Sequence, residues 1–227
     1  MLPSTARGFA ALGTGLVAAA LFGVRALSGS AATTTLPDPT LDQPVAAAKG
    51  EQTIVLGGGC FWGVQAVFQH VKGVVSATSG YAGGKLSSPS YMQVSTGTTG
   101  HAEVVKVVFD ISQVSLGQIL KVFFSVAHDP TELNRQGPDV GPQYRSAVYY
   151  TTDAQRKVVD GYIAQLTKAK AFREPIVTEV APLAAFYEAE AYHQNYYNLH
   201  PNQPYIVIHD RPKVEALRTQ FASMWKD

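Results

Sequence analysis

The sequence predicts an α+β fold, a sheet with helices packed on it, and three observations carry that prediction. Short β-branched runs bounded by turn residues read as strands, most clearly "HAEVVKVVFD" at 101–110. Elsewhere apolar residues recur at i, i+3, i+4 and i+7, the period of an amphipathic helix. Strand and helix segments are mixed without strict alternation, which favours α+β over a parallel arrangement.

In chain order, "QTIVLGG" is an apolar run ending in glycine and reads as a strand. After Cys60, the spacing of Val64, Val67, Phe68 and Val71 predicts a helix that begins at the cysteine, with Gln65, Gln69 and His70 opposite. "GVVSATSGY" and "HAEVVKVVFD" follow as strands. "SLGQILKVFFSVAH" is helical, opened by the capping pair Ser115 and Gln118. "QYRSAVYYT" reads as a strand, and "TDAQRKVVDGYIAQLTKAK" as a helix with the pair Thr152 and Gln155. "PIVTEVAPL" reads as a strand, and "FYEAEAYHQNYY" and "PKVEALRTQFASMW" as helices. No internal repeat is present.

The N-terminal part differs. Arg7 precedes an apolar stretch, Gly8 to Val24, followed by "RALSGSAA", whose small residues suit a peptidase. Residues 1–32 therefore read as an export signal, and the alternative is an uncleaved membrane anchor, since the stretch is at the lower limit for spanning. Export to a periplasmic or cell-envelope location is the expectation, with membrane contact only through this segment. Residues 33–50, rich in Thr, Pro and Ala, read as a linker, and the domain is expected over 51–227.

The chain has 227 residues, 46% hydrophobic, with a formal net charge of +1. That suits one domain, or two at most, with a real core. It lacks the basic surface that nucleic-acid binding needs. A single cysteine rules out an intrachain disulfide, so stability comes from the core. One cysteine and six scattered histidines give no zinc spacing, so no metal is expected.

That cysteine sits in "GGGCFWG". A glycine-rich turn between strand and helix first suggests a dinucleotide loop. Gly57 and Gly59 fit its first two positions, but Trp62 stands at the sixth and no carboxylate follows in "ATSGYAGG". No lysine and hydroxyl pair closes a phosphate loop either. The same turn suits a reactive thiol, since a helix N-terminus stabilises a thiolate and lowers its pKa. The competing reading is a buried, inert cysteine.

Glu103 lies just inside its strand on the face of Val105, Val107 and Phe109. On that face a carboxyl is desolvated and becomes a proton donor; the alternative is a carboxylate at an exposed strand end. Tyr91 and Tyr144 stand in glycine- and proline-marked loops, and Asp139 reads as a turn residue. His193 reads as structural. A thiol hydrolase would need a histidine beside Cys60, which sequence spacing does not decide.

Taken in order, "GGGCFWG", "GYAGG", "PSY", "TGHAEVV", "HDPT", "RQGPDVGPQYRSAVYY" and "AEAYHQNY" closely resemble the peptide methionine sulfoxide reductase A family, over roughly residues 52–200. The resemblance implies a two-layer α+β sandwich with a mixed sheet; a ferredoxin-like core, a monomer and no bound cofactor are expected. It implies reduction of the S epimer of methionine sulfoxide, free or in oxidised proteins, as protein repair. By position it makes Cys60 the nucleophile, Glu103 the acid, and Tyr91 and Tyr144 the hydroxyl donors to the sulfoxide oxygen. Phe61 and Trp62 match the apolar pocket for the substrate methyl group, and Asp139 a carboxylate of the hydrogen-bond network. The product on the enzyme is a sulfenic acid.

One departure stands out. Many members carry resolving cysteines near the C-terminus, and "NQPYIVIHDRPKVEALR" has none. The expectation is that an external thiol recycles Cys60: a thioredoxin-like or glutaredoxin-like protein, or a small thiol.

Overall fold

A computed structural model describes residues 35–227. The expected leader, residues 1–32, lies outside the described residues. Among the described residues no helix is long and apolar enough to cross a membrane.

The body is one six-stranded sheet with helices on one face. In chain order the elements begin with β1 (Glu51–Gly58), α1 (Phe61–Gln69), β2 (Val74–Ala82), the short α2 (Tyr91–Val94) and β3 (Ala102–Asp110). Then come α3 (Leu116–Val122), prolonged by a π-helical turn, Phe123–Ala127, and a small hairpin of β4 (Arg135–Gln136) and β5 (Asp139–Val140). The chain continues through β6 (Ser146–Tyr150), α4 (Asp153–Lys168), β7 (Glu179–Pro182) and β8 (Phe186–Glu188). It closes with α5 (Tyr196–Leu199), a second π-helical turn, Ile206–Asp210, and α6 (Arg211–Gln220).

Strand order is β7-β6-β1-β3-β2-β8. Every pairing is antiparallel except β6 with β7, so the sheet is mixed. The inner strands β6-β1-β3-β2, with α1 and α3 as connections, make the βαββαβ unit of a ferredoxin-like core. The expected fold class holds.

Alternation along the strands decides which layer each residue serves. Ile54, Leu56, Val105 and Val107 face α1, α3, α4 and α6 in the main core, with Phe68, Phe123, Phe124 and Tyr162. Val55, Val104 and Tyr149 face the other way into a smaller apolar layer under Leu183 and Phe186. Burial on both faces explains why β3 reads as a continuous apolar run. Lys106, expected on a solvent face, lies with its Nζ 4.7 Å from the Phe186 ring centroid.

Four expectations change. The helix expected over 186–197 is a short edge strand, a single 3-10 turn (Ala191–His193) and α5. Phe186 and Tyr187 pair with Ala82 and Tyr81, and the Gln194 amide donates to the carbonyls of Ser79 and Ala189, fixing the non-helical path. Gln65, expected on an exposed face, is buried, where its amide binds Gln194 at 2.8 Å and the Ala77 carbonyl at 3.0 Å. The capping box of Ser115 and Gln118 forms, whereas Thr152 caps α4 alone because Gln155 turns its oxygen to Thr151.

The fourth change is at the N-terminal edge. Residues 36–46 carry no regular structure, but they are docked on the domain rather than free. Leu36 enters the main core, and Tyr162 donates to the Pro37 carbonyl at 2.9 Å. Asp42 accepts from Ser115 Oγ at 2.5 Å and from the Gly117 amide at 2.9 Å, supplying the start of α3 with acceptors. The Ala46 amide binds the Ile111 carbonyl. Composition pointed to a linker because proline and threonine break periodicity, yet their carbonyls and side chains still find partners.

Asp42→Ala is expected to lower stability by about 1 kcal/mol, the usual loss of a helix cap, in denaturant titration. Unchanged stability would mean the docking adds nothing.

Candidate active site

The site is built where β1 hands over to α1. Gly59 has φ +85°, a left-handed conformation that glycine adopts freely, and a Cβ there would stand 2.5 Å from Gln136. Gln136 is itself fixed, its amide accepting from and donating to the Asp129 main chain, both at 2.9 Å. The turn therefore fits against the loop that carries Asp139, and Cys60 becomes the N-cap of α1.

Glu103 enters from β3, only 2% exposed, and Oε2 accepts the Phe61 amide at 3.1 Å. This joins the carboxyl to the first turn of α1, next to the thiol. Burial pushes its pKa up to about 8, and Asp139 and Asp210 add to the rise while the Phe61 amide opposes it. The exposed strand-end reading of Glu103 is therefore excluded by geometry.

The thiol departs from expectation. A helix N-terminus favours a thiolate, but burial pushes the Cys60 pKa well up, and Glu103 and Asp210 push the same way. The Trp62 amide and Lys213 oppose the rise and lose. Desolvation outweighs the helix end because Cys60 is only 8% exposed. Burial therefore favours the neutral thiol.

Tyr91 opens α2, and Tyr144 ends a 3-10 turn, Pro142–Tyr144, just before β6. Burial, then Glu103, holds both phenols protonated, Tyr91 at about 12. Both also feel Cys60 and Asp139, so the five polar residues named from the sequence share one site.

The aromatic wall is held from the C-terminal part of the chain. Trp62 stacks on Tyr196, centroids 3.8 Å apart and planes 9° from parallel, and meets Tyr205 edge-on at 6.0 Å. Its indole N–H donates to His193 Nδ1 at 3.2 Å. Phe61 is buried, with His193 and Tyr81 against it at 5.0 and 5.9 Å. His193 thus orients the wall.

Three residues not singled out from the sequence belong here. Tyr205 donates a short hydrogen bond to Asp139 Oδ2 while touching Trp62. Glu190 accepts the Tyr91 amide and the Tyr81 hydroxyl, each at 2.8 Å, and so sets α2. Asp210 lies fully buried near Cys60. Eleven tyrosines and scattered acids gave no local signal for any of them.

The hydrolase alternative lacks its base. His128 uses both ring nitrogens, on the Phe123 carbonyl and Ser146 Oγ, and His193 Nδ1 is taken by Trp62. Among the described residues no histidine is hydrogen-bonded to Cys60, and no cluster of three metal-ligating side chains exists.

Because Glu103 binds its proton up to about 8 when folded but only to near 4.5 when exposed, the folded state holds the extra proton between these values. Stability is therefore highest below about 4.5 with respect to this group and falls as pH rises to about 8. Glu103→Gln should remove that fall, a difference of roughly 3–5 kcal/mol across the window. Unfolding titrations at pH 5 and 9 check it, and parallel losses in both proteins would contradict it.

The model of the family described as peptide methionine sulfoxide reductase matches residues 52–225. A peptide methionine sulfoxide reductase MsrA 2 of Mesorhizobium japonicum is 51% identical over 181 residues, covering 80% of this chain and 93% of that protein. One from Synechocystis is 47% identical, covering 84% and 90%. Among solved structures, methionine sulfoxide reductase A of Corynebacterium diphtheriae aligns with TM-score 0.59 and 38% identity, covering 74% and 85%. Mxr1 of Saccharomyces cerevisiae in reduced form gives 0.62 and 32%, covering 72% and 92%. With its thiol, its buried carboxyl and this likeness over most of its length, the chain belongs to the peptide methionine sulfoxide reductase family.

Proposed function

We propose that this oxidoreductase reduces the S epimer of methionine sulfoxide, free or in oxidised proteins, through a sulfenic acid on Cys60. The observation that carries the reading is the protonatable Glu103 carboxyl bound to the amide beside the chain's only thiol.

The chemistry moves one oxygen atom. Cys60 sulfur attacks the sulfoxide sulfur, whose oxygen must gain a proton to leave as hydroxyl. Glu103 takes the thiol proton as the sulfur attacks and delivers it to that oxygen, so one carboxyl is base and then acid. Tyr91 and Tyr144 keep their protons and donate hydrogen bonds to the oxygen as its charge grows. Phe61 and Trp62 pack the methyl group, and Asp139, held by Tyr205, orders the polar side. Hydroxide then attacks the Cys60 sulfur of this sulfur–sulfur adduct and breaks the S–S bond, so methionine leaves with two electrons gained and Cys60 holds an oxygen as sulfenic acid.

Recycling follows from the cysteine count. With no second cysteine in the sequence, an external thiol attacks the sulfenic acid, releases water and leaves a mixed disulfide. A second thiol then frees Cys60. A thioredoxin-like or glutaredoxin-like protein or a small thiol serves this step. The leader extends the reading to an exported enzyme, supported by the apolar Gly8 to Val24 stretch and the small residues after it.

The test is stoichiometric. Reduced protein mixed with methionine sulfoxide and no reductant should release one equivalent of methionine and give one sulfenic-acid adduct on Cys60. Neither product appearing would end the reading.

The pH profile tests the shared proton. Below about 8 both Cys60 and Glu103 are protonated, and the reaction needs one proton between them. Single-turnover kcat/KM should therefore rise as pH passes through about 8. In Glu103→Gln the rate should fall by about 10²-fold or more and this limb should vanish. A limb that persists in the variant would assign it elsewhere.

A further inference from the structure

Asp210 has no place in the chemistry above, yet it is fully buried at the end of a π-helical turn. Its Oδ2 meets no partner, and Oδ1 stands 3.4 Å from Lys213 Nζ, a long and weak pairing. A poorly paired buried carboxyl is costly and calls for a reason.

Its position supplies one. A Cβ on Gly63 would lie 2.2 Å from Asp210 Oδ1 and 3.1 Å from Lys213 Nζ. Gly63 thus leaves a notch in the first turn of α1, three residues past Cys60, and Asp210 fills it. The last glycine of "GGGCFWG" has this use, which no turn requires.

We propose that Asp210 is a positioning residue for Cys60: lodged in the Gly63 notch of the helical turn that starts at Cys60, its carboxylate keeps a negative charge beside the chain's only cysteine and shields it from peroxide.

The groups around the sulfur support this. Glu103 from β3, the phenols of Tyr91, Tyr144 and Tyr205, and the Asp210–Lys213 pair lie close enough to the thiol to act on it by charge, and Asp139 from β5 acts on Glu103 and the phenols. At neutral pH Glu103, at about 8, is mostly protonated, whereas Asp210, raised only to about 6, is mostly ionised. Asp210 therefore supplies negative charge beside the sulfur when Glu103 does not.

Peroxide oxidises the thiolate, giving sulfenic acid and hydroxide, and a second peroxide converts the sulfenate to sulfinate and water. That second step is terminal for a chain with no other cysteine to trap the intermediate. A sulfoxide in the site does not need a resting thiolate, because in the molecules whose Glu103 is ionised that carboxylate takes the thiol proton during attack. The inference rests on Cys60 being the nucleophile proposed above.

Alkylation of Cys60 by iodoacetamide across pH, which needs no sulfoxide, tests it on the full chain. Asp210→Asn should react about tenfold faster at pH 7. It should also accumulate Cys60 sulfinic acid faster under hydrogen peroxide, read by intact mass. Asp210→Ser, with room for a water, should move the same way. In the wild type, log rate against pH should have a slope below one through about pH 6, as Asp210 gains charge and makes the thiol harder to ionise.

A folded variant, checked by circular dichroism, with the wild-type profile overturns the proposal. So does a wild-type slope of one throughout, whether or not the variants fold. Failure of the one-equivalent methionine release would instead remove the reading on which it rests.

Discussion

The 3.1 Å hydrogen bond from the Phe61 amide to Glu103 is the contact on which the rest of this structure depends. It gives a buried carboxyl its one amide donor and joins the central strand to the helix that starts at the thiol. One backbone amide is enough to hold Glu103 in place but not to ionise it at neutral pH. The site needs that balance, because a carboxylate held by two or three amides would be too weak a base to take the thiol proton.

Around this contact the fold works by excluding water. Both faces of β3 are covered, so Glu103 is desolvated by the same apolar layers that stabilise the sheet. Desolvation also reverses the helix-end effect on Cys60 and keeps the phenols protonated. The reactive groups are thus set in their neutral forms, and the proton moves only within the group of side chains that meets the substrate.

The sheet was readable because period-2 and period-3.6 patterns are local, and the glycine turn marked Cys60 on its own terms. Glu103 was placed on its face by alternation, and its burial followed from the layers on either side. The tyrosine-rich stretch after residue 185 misled, because aromatic residues suit an edge strand as well as a helix, and the pairing to β2 decided it. Tyr205, Glu190 and Asp210 were not legible, because each acts on a residue 66 to 150 positions or so away. The thiol's state was misjudged for a related reason. Helix starts show in a sequence, whereas the total desolvation of one atom is a property of the assembled fold.

The aromatic wall draws on Tyr196 and Tyr205, the loop is held by Tyr205, and the notch is filled by Asp210. All come late in a chain made from its N-terminus, whereas Cys60 emerges early. During synthesis the sheet strands β1, β2, β3 and β6 exist before the groups that enclose the sulfur. The thiol therefore passes through a period of ordinary reactivity, and its protection arrives with the last tenth or so of the chain. The sulfur is thus enclosed only when the C-terminal part of the chain has packed against α1.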